Sequence, residues 1–203
     1  MKLKSIAAFL FMAAVTVFTS GAEGAQSKTE QKKEHSGVLV VYFSRTGENY
    51  NVGKITEGNT AVLAKLIASK TGADVFEIVP EKAYPETYKE CTEVAQAERR
   101  SNARPAYKGD IDISGYSTVY LGYPIWWGDM PMCVYNFIEK HDFSGKTVFP
   151  FCTHEGSGAG GTVRSIRQIH KNAAVRNALA VKGSVAQKDR REAERLVNEW
   201  LKK

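Results

Sequence analysis

The chain has 203 residues, 43% of them hydrophobic and 25% charged, with 28 Lys and Arg against 22 Asp and Glu. That balance fits one globular domain and excludes a disordered or fibrous chain. The longest apolar run, Ile6 to Phe18, falls short of the roughly 20 residues a helix needs to cross a bilayer, which excludes a multi-span membrane protein.

Residues 1–22 begin with Lys2 and Lys4, continue through that apolar run and end on Ser20-Gly21-Ala22. These are the three parts of a secretory signal peptide cleaved after Ala22, so the expectation is Sec-type export to the periplasm or the medium. Losing them lowers the formal charge from +6 to +4, an excess suited to solubility and partner steering rather than to nucleic acid. Residues 23–37 are polar without periodicity and read as a flexible tether, leaving residues 38–203 as the folded domain. The basic residues are dispersed, and Lys188-Asp189-Arg190-Arg191 reads as a solvated helix face. Cys91, Cys133 and Cys152 are odd in number and form no C-x-x-C pair, which speaks against a disulfide framework or a zinc site, and no metal is expected.

Beyond the tether, strand-like and helix-like segments alternate: Val38–Phe43, Thr60–Lys70, Val75–Val79, Glu86–Arg100, Thr118–Tyr123, Met132–Lys140, Thr147–Cys152, Gly161–His170, Val175–Val181 and Asp189–Leu201. Five β-α units predict a doubly wound α/β fold, a five-stranded parallel sheet between two helical layers. Strands one, three and four are continuous apolar runs, as expected where both faces are covered. Strands two and five carry polar positions and suit the edges. With right-handed crossovers the simplest order is 2-1-3-4-5, and a ligand is expected where the connections reverse, at the carboxyl ends of strands one and three. The first connection, Ser44 to Asn59, is far longer than the roughly 2–6 residues usual for such loops.

Three loops follow strand carboxyl ends. Ser44-Arg45-Thr46-Gly47 leads, after an excursion, to Gly58-Asn59-Thr60 at a helix start, a place where hydroxyls, free N–H groups and the helix dipole favour phosphate. The alternative is that Ser44 and Thr60 only cap the turn and the helix. Pro124-Ile125-Trp126-Trp127-Gly128 presents two tryptophans, either of which could stack on a flat heteroaromatic ring or pack against the next helix. Thr153-His154-Glu155-Gly156-Ser157-Gly158 opens a glycine-rich segment whose backbone can approach a ligand closely. His154 could donate to such a ligand or be a solvated loop residue. Converging on one crevice, the three loops describe a site for a mononucleotide with a planar ring.

Tyr42-Phe43-Ser44-Arg45-Thr46-Gly47 with Gly58-Asn59-Thr60, Gly122-Tyr123-Pro124-Ile125-Trp126-Trp127-Gly128, and Pro150-Phe151-Cys152-Thr153 through Gly161 resemble, in order, the motifs of the flavodoxin family. The resemblance covers residues 38–203 and implies FMN as cofactor. It implies phosphate contacts from the Ser44-Arg45-Thr46 turn, Asn59 and Thr60, and the Pro124–Gly128 loop along one side of the isoalloxazine. Thr153 with Gly156, Ser157 and Gly158 would meet the pyrimidine edge, His154 could donate to that edge or to a reduced, anionic flavin, and Gly128 could supply a peptide that answers protonation at flavin N5. Two features depart from the family: the phosphate loop is split by an insert in which Glu48, Asn49 and Tyr50 are candidates for a lid, and the chain is basic where familiar carriers are acidic. The expected function is an exported FMN electron carrier with a protein or small-molecule redox partner. The alternatives are an NAD(P)H-dependent FMN oxidoreductase acting on a quinone or another small acceptor, and a cofactor-free binding module.

Overall fold

The computed structural model describes residues 37–203, so the expected signal segment and all of the tether except Gly37 lie outside the described residues. Gly37 already belongs to the fold, because its carbonyl accepts the N–H groups of Ser117 and Thr118. The elements are β1 (Val38–Tyr42), β2 (Gly47–Asn49), β3 (Gly53–Ile55), α1 (Asn59–Thr71), β4 (Asp74–Glu77), β5 (Val79–Pro80), α2 (Tyr88–Arg100), β6 (Tyr107–Lys108) and β7 (Thr118–Pro124). They continue with α3 (Met132–Lys140), β8 (Thr147–His154), α4 (Thr162–Ile169), β9 (Ala174–Val175), β10 (Leu179–Lys182), α5 (Gly183–Lys188) and α6 (Arg190–Trp200).

The central sheet runs β10-β8-β7-β1-β4, all parallel, with β9 also paired to β8. Counted as five strands this is the order 2-1-3-4-5, with the polar strands at the edges. Alternation along β1 divides the core: Leu39, Val41 and Phe43 face α3 and α4, while Val40 and Tyr42 face α1 and α6. Leu39, Val40 and Val41 are fully buried, each contributing roughly 1.5–3 kcal/mol of transfer free energy. Among the described residues no helix is long and apolar enough to cross a membrane.

Departures from the expected elements have local causes. The fifth strand is broken at residues 176–178, where the polar side chains of Arg176 and Asn177 do not suit a covered position, and so becomes β9 and β10. Val79 leaves the second strand to form a small antiparallel pair with Lys108. The insert after β1 folds as the antiparallel hairpin β2–β3, turning through Asn51 at φ +63°. Residues 183–188, expected as connection, form the short helix α5.

Gly122 lies in the middle of β7, and a Cβ there would fall inside the Phe151 ring that packs across the sheet. Gly122→Ala is expected to destabilise the fold by about 1–3 kcal/mol through overpacking, read as a lower urea midpoint at unchanged slope.

Candidate functional site

Where β1 ends, Ser44 Oγ accepts the Ala61 N–H at 3.0 Å, so this hydroxyl caps the first turn of α1 from a distant part of the chain. Gly58 precedes the helix with extended backbone and no side-chain cap of its own. A Cβ on Gly58 would lie on Ser44 Oγ and 2.6 Å from the Arg45 carbonyl oxygen. The insert therefore does not divide the cradle: it leaves as the hairpin and brings Gly58 back against Ser44. The amides of Asn59 and Thr60 have no acceptor within the helix, and the positive end of its dipole lies there, which suits an anion. Asn59 lines the adjoining cavity, and its buried Oδ1 has no hydrogen-bond partner among the described residues. Thr60 turns inward instead, its Oγ1 lying 2.8 Å from Thr153 Oγ1 and tying the start of α1 to the end of β8.

Arg45 has a different role from the phosphate contact that the resemblance implied. Its guanidinium is buried and donates to the carbonyls of Glu48 (2.5 Å), Pro85 (2.5 Å), Glu86 (2.7 Å) and Thr87 (3.2 Å), fixing the segment ahead of α2 to the hairpin. Thr46 is exposed and does not line the cavity. Asn49 and Tyr50 do line it, so the hairpin forms a wall, with Tyr50 against Tyr88 at 5.8 Å between ring centres. Glu48 accepts the Tyr88 N–H at 2.9 Å, and at the hairpin tip Asn51 donates to Glu155 at 3.2 Å.

The tryptophans divide their roles. Trp126 lines the cavity as well but stands edge-on to Phe43 (5.4 Å) and Tyr84 (4.9 Å), packed against the core. Trp127 is 50% exposed and lines the cavity, its indole N–H donating to the Thr92 carbonyl at 3.2 Å and its own carbonyl held by Arg99. Trp127 (φ +53°) and Gly128 (φ +76°) are the central residues of a tight turn closed by mutual backbone bonds between Trp126 and Asp129. A left-handed backbone at a bulky residue costs about 1–2 kcal/mol. Gly128 does not line the cavity, and its carbonyl accepts the Gly161 N–H at 3.2 Å. A peptide turning there would break that bond. Pro124 and Ile125 line the cavity beside Trp126, with the Ile125 N–H held by the Thr153 carbonyl at 2.8 Å.

After β8 the glycine amides turn toward a side chain rather than into the cavity. The N–H groups of Gly156 and Gly158 donate to His154 Nδ1 at 2.9 and 3.2 Å. Neither glycine lines the cavity, nor does the exposed Ser157; Thr153, His154 and Glu155 do. The Glu155 carboxylate accepts the Ser184 N–H (2.6 Å) and hydroxyl (3.2 Å), capping α5.

The cavity holds about 470 Å³, within the range of small-molecule sites. Sequence reasoning missed its far wall: Tyr88, Cys91, Thr92 and Ala95 of α2, which share one helix face by their spacing. That spacing was the available signal, though Cys, Thr and Ala on a helix face read as ordinary packing. Burial pushes the Cys91 thiol above its usual range, against the opposing pull of Arg45, and pushes Cys152 up to about 12. All three thiols are free and buried. Among the described residues no acid, His and Cys cluster could hold a metal.

Arg45→Ala would leave the Pro85 carbonyl without its donor, while the Glu86 and Thr87 carbonyls keep the N–H groups of Glu48 and Cys91, and would loosen the tie between the hairpin and the segment ahead of α2; a loss of about 1–3 kcal/mol in unfolding free energy is the expected result. Arg45→Lys should recover only part of it, since an ammonium cannot fork to several carbonyls. Denaturant titration of the three proteins checks this.

No curated protein matches the chain. Several solved structures do. A protein assigned as a flavoprotein from Bacteroides eggerthii DSM 20697 is 28% identical, the match covering 81% of this chain and 95% of that one with a TM-score of 0.65. Another from Bacteroides uniformis ATCC 8492 is 28% identical over 82% and 97%, also at 0.65. A flavoprotein of Lactobacillus acidophilus NCFM, solved in complex with FMN, shares the fold at 20% identity, 74% and 96% coverage and a TM-score of 0.55. The family model described as flavodoxin matches residues 37–201, nearly all of the described chain: the protein belongs to the flavodoxin family.

Proposed function

We propose that the chain is an FMN-binding electron-transfer flavoprotein working outside the cytoplasm. The observation that carries the reading is the pairing, along one cavity, of an anion cradle at the α1 N-terminus with the half-exposed indole of Trp127. The residues present fit FMN. Gly58 leaves no room for a side chain at the cradle, the Ser44 hydroxyl still has its proton to donate, and a half-turn of the Asn59 amide puts Nδ2 where the unpartnered Oδ1 stands. The Asn59 and Thr60 amides would hold the phosphate, and Trp127 would flank the ring. FMN, when bound, supplies electron transfer in single or paired steps. The surrounding residues would position it: Trp127 is braced by Thr92 and Arg99, and the hairpin and α2 contribute walls of the same cavity.

The visible spectrum of the mature protein, incubated with FMN and freed of excess, is expected to show retained flavin. Gly58→Ala should abolish retention by forcing Ser44 and the Arg45 backbone away from the start of α1. Trp127→Ala should weaken it by about 1–3 kcal/mol, the usual contribution of an aromatic–base stack, without unfolding a residue half in solvent. A wild-type protein that retains no flavin would overturn the reading and favour a cofactor-free binding module.

Carrier and reductase part at the next measurement. An electron carrier should bleach slowly under anaerobic NADH or NADPH and quickly with a reduced protein partner; rapid bleaching by a nicotinamide would replace the carrier with the NAD(P)H-dependent oxidoreductase acting on a quinone or other small acceptor. Export is supported by the pattern of residues 1–22 alone. Cell fractionation with N-terminal sequencing should find the chain outside the cytoplasm and starting near Glu23, and an intact cytoplasmic chain would refute export.

A further inference from the structure

His154 is the last residue of β8, paired in register with Lys182 of β10, and it lines the cavity. Nδ1 accepts two backbone N–H groups at once, from Gly156 and Gly158. Two donors can converge only on a nitrogen that carries a lone pair, so the proton of the neutral ring sits on Nε2. Nε2 has no hydrogen-bond partner among the described residues and is not among the buried, unsatisfied side-chain atoms. The turn that sets this tautomer needs glycine: Gly156 (φ +132°) and Gly158 (φ +60°) hold backbone conformations that side chains rarely adopt. The glycine-rich segment thus grips an imidazole that belongs to a cavity-lining residue.

We infer that His154 is the specificity-determining donor of the cavity: its tautomer, fixed by Gly156 and Gly158, presents Nε2–H to an acceptor atom on the pyrimidine edge of a flavin, a carbonyl oxygen or unprotonated ring nitrogen. The inference rests on the FMN reading above. A ring edge offering only N–H groups is rejected, because two donors would face each other in a partly desolvated place.

The same geometry makes the arrangement sensitive to acid. A proton on Nδ1 would confront the Gly156 and Gly158 N–H groups and open the turn. Burial, the larger cause, and Lys182 both hold the imidazole below its ordinary value of 6.5, while Glu155 pulls the other way. Glu155 is itself engaged by Ser184 and Asn51, and the guanidinium of Arg45, the other charged group lining the cavity, is held by backbone carbonyls. With the folded value lowered, the contribution of the neutral latch is complete above 6.5 and is lost as pH falls through the lowered value.

Two substitutions separate the latch from the donor. His154→Asn keeps an acceptor near Nδ1 for the glycine amides and removes the donor; His154→Gln keeps a donor near Nε2 and removes the latch. The first measurement needs no cofactor: two-dimensional 15N–1H spectra of the ligand-free protein at pH 7.5 should show the Nε2-protonated tautomer, and an Nδ1-protonated ring would overturn the inference. In FMN titrations by fluorescence quenching, His154→Asn should keep native Gly156 and Gly158 amide shifts and bind about tenfold more weakly. Wild-type affinity in that variant would overturn the donor role. Because the FMN phosphate itself titrates near pH 6, the readout of the latch is a difference. Wild-type affinity should fall more steeply toward pH 5 than that of His154→Asn, and superimposable slopes would sink the acid response. A wild type that takes up no FMN removes the functional reading and this inference with it, whereas wild type and both variants binding alike removes the inference alone.

Discussion

A parallel sheet covered by helices on both faces can expose polar backbone only at its two ends, and that constraint governs where this molecule can do chemistry. Leu39, Val40 and Val41 are sealed between layers, so along β1 the polar atoms open to a ligand begin beyond Phe43. β7 and β8 release their chains at the same rim, through Pro124 and His154. The Thr60–Thr153 hydroxyl contact then sets the start of α1 against the end of β8, so cradle and ring slot share one rigid base.

Around that base most polar groups serve the scaffold, and few are left for a ligand. Arg45, Thr60, Glu155 and the amides of Gly156 and Gly158 are each engaged within the protein. Among the described residues, what remains includes the Ser44 proton, the first amides of α1, the Asn59 amide, the Tyr50 and Tyr88 hydroxyls, the Trp127 face and the second nitrogen of His154. Such selectivity follows from the cost of leaving a buried polar group unpaired, which makes each remaining group informative about what it is meant to meet.

Much of this was legible in the sequence because the relevant signals are local. Continuous apolar runs marked the inner strands, and Glu77 in the second strand and Arg176-Asn177 in the fifth marked those two as edges, although the latter pair falls in the break between β9 and β10. The three strand-end loops could be placed once the order was known. What stayed hidden was set by contacts between distant segments. Nothing near Arg45 states that its guanidinium will meet the carbonyls of residues 85–87. α5 begins on Gly183, a poor helix start by itself, because a Cβ there would strike the Asn59 amide and because Glu155 supplies the cap. The glycines after Thr153 looked like a ligand-facing backbone, and only their φ angles and the position of His154 reveal them as the support of a side chain.

Trp127 sets local stability against use. Its positive φ is a conformation that glycine or asparagine would hold with less strain, so relaxing the turn and keeping the indole are opposing demands on one position. A search for more heat-resistant variants of this fold, conducted without ligand, would tend to select the tryptophan away. The same search conducted with the cavity filled would tend to retain it, and the difference between the two outcomes would report which residues the fold keeps for its ligand rather than for itself.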